Sequence, residues 1–481
     1  MNKLSLIGLT LLLALFPVSL LAQAHNPHNL PDFGDASSII ISPQEEEKLG
    51  QMVLRSYRAQ VPTSTDPLLI DYLDRLLKEL APHSQLTNRN LHLVVVLNPL
   101  MNAFAAPGNI VGVNTGLLVY AQSEAQLVSV LSHELAHLSQ RHYARRLEQQ
   151  RNMQLPFTAA LLASLALLAT DGGESGLAAL SATQAAAIDA QLRFSRSFEQ
   201  EADRLGMEIM IRAGYDPYAA AQMFEQMLRA SRYYRRPPEF LLTHPVTESR
   251  VSDARNRAQR YPRQMHQDNL EFHLMRSRIR FEQANTAREA INLFEGELAG
   301  SSLSKDASRY GLALAYSEAA EVEKARATLA PLLEADPQRI TYRLMEVDIY
   351  LSAEEYEAAL KMLQDLLRQR PKNYPLNVRY AEALMKSGRH QSATDFLSQY
   401  VRERQNDPYL WYLLAEVSGL AGDILMVHEA RAEYFILTGI YDKAMVQLRH
   451  ALKRSEENFH RTALLTERLR YVERLQSELD Y

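Results

Sequence analysis

His133-Glu134-Leu135-Ala136-His137 sits within Gln126–His142, a run free of Gly and Pro in which Leu127, Val130, Leu131 and Leu138 recur at helical spacing. Residues four apart share one helix face, so His133 and His137 bring two imidazoles within reach of a single metal ion. Glu134 follows the first of them and can reach a metal-bound water as general base. Zinc suits this set, because it binds imidazole and carboxylate and lowers the pKa of its water towards ~7. One Zn2+ per chain is the expectation.

A catalytic zinc takes three protein ligands and leaves a fourth position open. A continuation with Gly three and His six residues after His137 is closed, since Gln140 and Tyr143 stand there. His142, five residues on, is turned well away if the helix continues, and is expected at the surface. The remaining source is Glu199-Gln200-Glu201-Ala202-Asp203 on a second predicted helix, Ser181–Arg212. Glu199 and Asp203 are four apart, so one serves as ligand and the other orients an imidazole through its second nitrogen. Glu199 is taken as the ligand and Asp203 as the orienting acid. Glu201 points to the opposite face, towards Arg204 or solvent. His244, before Pro245 as the first residue of a further helix, could donate to the oxyanion of a tetrahedral intermediate or cap the metal at rest. Arg250 could support either role or pair with the acids.

Upstream, Ser42 with Glu45 three residues on predicts an N-cap and a helix towards Arg58. A second helix is predicted over Pro67–Leu80, and Leu91–Leu97 reads as a buried strand. Met101–Ala105 and Asn109–Val113 are short strands around the turn Ala106-Pro107-Gly108. Pro156–Thr170 is strongly apolar but shorter than a membrane span, and reads as a packed helix or as a lid or membrane-touching flap over the site. After about Asp268 the chain becomes uninterrupted amphipathic helix pairs with a period of 34: Ala325, Ala359 and Ala393, and likewise Leu329, Leu363 and Leu397. Tyr316 and Tyr350 continue with Leu384, and Pro337 pairs with Pro371. This matches tetratricopeptide spacing, in which helix pairs stack into a solenoid with a concave surface. The later repeats, around Trp411 and Tyr434, read as degenerate.

The 481 residues suffice for about three domains. A net charge of −5 gives no electrostatic case for nucleic acid, and the absence of cysteine leaves only nitrogen and oxygen ligands for a metal. Asn2-Lys3, the apolar Leu4–Leu21 and Ala22-Gln23-Ala24 have the layout of a cleaved export signal. The expected organisation is therefore a signal peptide over 1–24, a metallopeptidase domain over 25–267 and a repeat domain over 268–481. The fold class is mostly α: an α+β domain with a small β-sheet, then an all-α solenoid.

Together, His133–His137, Ser195-Arg196, Glu199–Asp203, His244-Pro245 and Arg250 resemble the zinc-peptidase family that includes prenyl-protein proteases and the heat-shock protease HtpX. The export signal and carboxy-terminal repeats resemble its periplasmic branch, without membrane-spanning helices, that assists β-barrel assembly. The resemblance implies a gluzincin-type domain with zinc on His133, His137 and Glu199, Glu134 as base, Asp203 as a supporting or proton-donating acid and His244 as a gate on the zinc. It implies that Asn102-Ala103-Phe104-Ala105 form an edge strand aligning an extended substrate by strand addition. It further implies degradation of unfolded, stalled or misassembled outer-membrane β-barrel proteins and help in their assembly, with the repeats docking the barrel-assembly machinery. Peripheral membrane contact stays open. The rival reading is a chaperone or scaffold whose peptidase site is latent.

Overall fold

The computed structural model describes residues 41–152, 195–233, 240, 244–263 and 269–477. The leader, the Pro156–Thr170 segment and the Arg235–Pro238 loop lie outside them.

Helix α1 (Pro43–Gln60) opens with the expected capping box, Ser42 accepting from the Glu45 N–H and Glu45 from the Ser42 N–H. Helix α2 (Pro67–Leu80) starts on an Asp66 cap and buries Leu69, Tyr72, Leu73, Leu76, Leu77 and Leu80. Three short strands follow: β1 (His92–Val96), β2 (Ala103–Ala106) and β3 (Ile110–Asn114). Their order is β1-β3-β2, with β1 parallel and β2 antiparallel to β3, so β2 is an edge. Gly108 and Asn109 take positive φ between β2 and β3, moving the turn one residue beyond its predicted place. The Phe104 ring covers Gly112, where a Cβ would lie 2.1 Å from it, and rests on Tyr57 of α1.

Helix α3 (Thr115–Tyr120) leads into α4 (Glu124–Ser139), capped by Ser123 and buried nearly all round between β2 and the later helix Tyr218–Tyr233. The predicted run to His142 is broken. Gln140 caps α4, Arg141 takes φ 48°, and a new helix α5 begins at residue 142 and is described to 152. Arg141 is held in that left-handed state by Glu46 and the Ile41 carbonyl. Helix α6 is described over 195–212, and α7 (Tyr218–Tyr233) and α8 (Glu248–Ala258) complete this part. Helix α8 is capped by Thr247, so Pro245 is not its first residue.

From Leu270 to Ser477 the chain is twelve consecutive helices: α9 (Leu270–Glu282), α10 (Ala287–Ala299), α11 (Lys305–Glu318), α12 (Val322–Ala335), α13 (Ile340–Ser352), α14 (Tyr356–Gln369), α15 (Tyr374–Lys386), α16 (His390–Glu403), α17 (Pro408–Ala421), α18 (Ile424–Leu437), α19 (Tyr441–Arg454) and α20 (Phe459–Ser477). The repeat-defining Ala325, Ala359, Ala393, Leu329, Leu363 and Leu397 are all buried. Second helices begin at Val322, Tyr356, His390 and Ile424, each 34 after the last, so regular geometry outlasts the sequence pattern, which degenerates around Trp411 and Tyr434. The left-handed residue in each intervening turn keeps the same period, at Ala320, Glu354, Gly388 and Gly422.

Both parts share one core, with Leu68, Leu131 and Met210 in the same cluster as Leu344, Leu376 and Leu414. Helix α2 packs against α9 and α15, so the first part of the chain lies directly on the repeat helices. Asn269 and Tyr72 both donate to Glu124 Oε1, and Arg278 joins Asp66 at 2.6 Å to the Tyr310 hydroxyl at 2.7 Å. At the far end Arg55 of α1 donates to the Tyr471 hydroxyl, and Gly439 lies against the Arg55 carbonyl, where a Cβ would clash at 2.7 Å.

Candidate metal centre

Helix α4 places His133 and His137 one turn apart, with their Nε2 atoms 3.0 Å from each other. Helix α6 crosses close above it. Gly206 makes this possible, since a Cβ there would meet the His133 backbone at 3.0 Å. The crossing delivers Glu199, whose Oε2 lies 3.4 Å from His133 Nε2 and Oε1 3.4 Å from His137 Nε2. His244 closes the figure, its Nδ1 3.4 Å from His133 Nε2 and 3.0 Å from Glu199 Oε1. One donor atom from each of these four buried residues falls within 4.8 Å of the others. A zinc ion with bonds of ~2.0–2.1 Å gives tetrahedral edges of roughly 3.3 Å. The spacing and donor chemistry therefore fit such an ion, with His244 at the fourth corner.

Electrostatics agree with that geometry. Burial works against the Glu199 carboxylate, but the surrounding His133, His137 and His244 imidazoles outweigh it and hold Glu199 well below its usual range. Burial would lower His133, yet Asp203 and Glu199 raise it to about 10, the sign of a position that calls for positive charge. Burial, with the neighbouring His133 and His244, takes His137 down to about 3, leaving a neutral imidazole suited to ligation. Glu134 is raised, chiefly by burial, which makes it a stronger base than an exposed carboxylate. Its Oε1 has no hydrogen-bond partner among the described residues and lies 3.5 Å from His244 Nε2.

Asp203 Oδ1 lies 3.0 Å from His133 Nδ1. Arg250 grips both Asp203 oxygens at 2.7 Å, donates to the Pro245 carbonyl and reaches Glu199 Oε2 at 3.1 Å. This is a direct carboxylate–imidazole arrangement beside a ligand nitrogen. Along the β2 edge, Asn102 and Phe104 face β3, so Ala103 and Ala105 turn their backbone groups outward. The Ala105 N–H lies beside the Glu134 carboxylate and favours its charged form, and the Met101 carbonyl accepts from Phe240 N–H, whose ring stacks on His244. The structure thus gathers His133, Glu134, His137, Glu199, Asp203, His244 and Arg250, with Asn102 and the strand Ala103–Ala106, rather than a strand Asn102–Ala105, alongside. The Phe104 side chain points to the opposite face, against Tyr57.

Two expectations are corrected. His142 is buried, not at the surface, with Nδ1 2.8 Å from His137 Nδ1. Glu201 pairs with His142 and Arg145, whereas Arg204 pairs with Glu208. Both follow from the break at Arg141, which swings His142 back beside His137. No Gly or Asn marks that break in the sequence, so the signal was missing.

The pattern of peptidase family M48 matches residues 67–258, from the start of α2 to the end of α8, and a tetratricopeptide-repeat pattern matches residues 350–417. The beta-barrel assembly-enhancing protease of Escherichia coli (strain K12) is 37% identical over 333 residues, 69% of this chain and 68% of that protein. A putative beta-barrel assembly-enhancing protease of Vibrio cholerae is 35% identical over 320 residues, 66% of each. The mitochondrial metalloendopeptidase OMA1 of Schizosaccharomyces pombe is 31% identical over 199 residues, 41% of this chain and 56% of that protein. With that identity over most of both chains, and with the metal-type cluster inside the matched region, this chain belongs to the family M48 metallopeptidases of the beta-barrel assembly-enhancing type.

Proposed function

We propose that this chain is a zinc endopeptidase of the periplasm. It would act on stalled or misassembled outer-membrane β-barrel proteins and assist their assembly, with the repeats docking the assembly machinery. The observation that carries the reading is the convergence of His133, His137 and Glu199 beside the buried Glu134. The names of the relatives support the barrel proteins as substrates, and the composition of residues 2–24 supports export. In this reading 1–24 is the signal, 25–267 the peptidase domain and 268–481 the repeat domain. Among the described residues no helix is long and apolar enough to cross a membrane.

Zinc, when bound by His133, His137 and Glu199, supplies Lewis acidity to the substrate carbonyl and to the attacking water. Glu134 takes the proton of that water on its carboxylate and passes it to the leaving amine. Asp203, gripped by Arg250, faces the His133 ring with Oδ1 3.0 Å from Nδ1 and steadies it by charge. The outward backbone of Ala103 and the Ala105 carbonyl align an extended segment by strand addition, while the Ala105 N–H lies beside Glu134. Glu134→Gln should retain zinc and lose cleavage of an unfolded barrel protein by at least ~100-fold. Undiminished cleavage by the purified variant would contradict the assignment.

A second reading, a scaffold with a latent site, is favoured by one observation: His244 Nδ1 takes the corner that the attacking water needs. The same variant separates the two. Barrel assembly fully supported by Glu134→Gln in cells would assign that support to the scaffold, and its loss would assign it to peptidase activity.

A further inference from the structure

His137 keeps its Nε2 for the metal cluster, so the proton on its ring must sit on Nδ1. That nitrogen faces His142 Nδ1 at 2.8 Å, a separation that requires one proton between the two rings. The donor is therefore His137 Nδ1–H and the acceptor is His142 Nδ1. The His142 proton then lies on Nε2, which donates to Glu201 Oε2 at 3.2 Å. Arg145 donates to the same oxygen at 2.9 Å and lies over the Phe198 ring. Phe198, itself buried, stacks on the His142 ring at 4.4 Å and 23°. Glu201 and Phe198 touch His142 directly, and Arg145 holds both of them.

The two histidine ligands are thus supported in parallel. His133 leans on Asp203 directly, with Arg250 behind it. His137 leans on Glu201 through one intervening imidazole, with Arg145 behind it. Helix α6 carries all three acids: Glu199 reaches the cluster, while Glu201 and Asp203 leave the helix on different faces. The face of Glu201 becomes useful only because α5 inserts His142 between it and His137.

We propose that His142, fixed by Glu201 and Arg145, is a positioning residue that orients His137 and sets its tautomer for metal binding. The inference rests on the assignment of His133, His137 and Glu199 as ligands. Support of this kind around a metal-bound histidine is worth ~10–100-fold in metal affinity.

The test compares zinc affinity, by chelator competition, in full-length wild type, His142→Phe, His142→Asn, Glu201→Leu and His137→Ala, with the melting temperature of each metal-free form. Phe keeps the stacking on Phe198 but removes the acceptor, while Asn restores an oxygen acceptor near the old Nδ1. The expected result is zinc binding weakened ~10–100-fold in His142→Phe and less in Glu201→Leu, with substantial recovery in His142→Asn and unchanged metal-free melting. Zinc affinity within twofold of wild type in His142→Phe would overturn the proposal. So would a loss that Asn does not recover and that accompanies a lower metal-free melting temperature, since that is a packing effect. If His142→Phe fails to fold, an unchanged affinity in Glu201→Leu overturns the proposal and a weakened one supports it. Failure of the ligand assignment gives a different result: wild type that binds no zinc, or His137→Ala that binds it as tightly as wild type.

Discussion

Glu199, Glu201 and Asp203 stand on one helix yet answer to different cations. Glu199 meets the histidine cluster, Asp203 meets Arg250 and Glu201 meets Arg145. Helical spacing makes the first and third legible in the sequence, because residues four apart share a face, as His133 and His137 also do. It sends Glu201 to the other face, towards Arg204 or solvent, because it cannot show the α5 partners His142 and Arg145, and it misplaces His142 by extending α4 through a residue of positive φ. At this scale the clearest consequence concerns Asp203→Asn. The variant removes the charge that Arg250 grips, so Arg250, already 3.1 Å from Glu199 Oε2, should lean on the ligand itself. Zinc affinity should fall ~10–100-fold by chelator competition while the fold persists, and an unchanged affinity would show that Asp203 does not support the centre.

Among the elements, α4 was readable from its unbroken helical spacing and α1 from its capping box. The packing of α6 on α4 was not, since no local signal says which glycine marks a crossing. Gly206 does so here, with the His133 backbone 3.0 Å from where a Cβ would be. Gly206→Ala should push α6 outward by a few tenths of an ångström, cost ~1–3 kcal/mol in stability and weaken zinc binding together with it. Wild-type stability and affinity in that variant would mean that the crossing does not set the ligand geometry. The repeat turns teach the same lesson from another side. Gly388 and Gly422 announce a left-handed turn, but Ala320 and Glu354 occupy the same state unannounced.

For the whole molecule, composition and the 34-residue period disclosed two kinds of architecture in the order found. They could not disclose that α2 is packed against α9 and α15, because contacts between distant segments leave no periodic trace. The shared core and the Arg278–Asp66–Tyr310 link predict that both parts unfold together. Calorimetry of the metal-loaded protein should show one transition, and chelation should lower all of it, by about 4 kcal/mol where free zinc stood 1,000-fold above its Kd. Two resolved transitions, only one of them sensitive to chelation, would refute the coupling.

All of this depends on an ion held between α4 and α6. Anomalous diffraction from crystals of the purified chain, at the zinc absorption edge, tests that most directly. The account predicts one strong peak at ~2.0–2.2 Å from His133 Nε2, His137 Nε2 and a Glu199 oxygen. A cluster with no peak, or a zinc bound elsewhere while Glu199 stands apart from the two imidazoles, would contradict it.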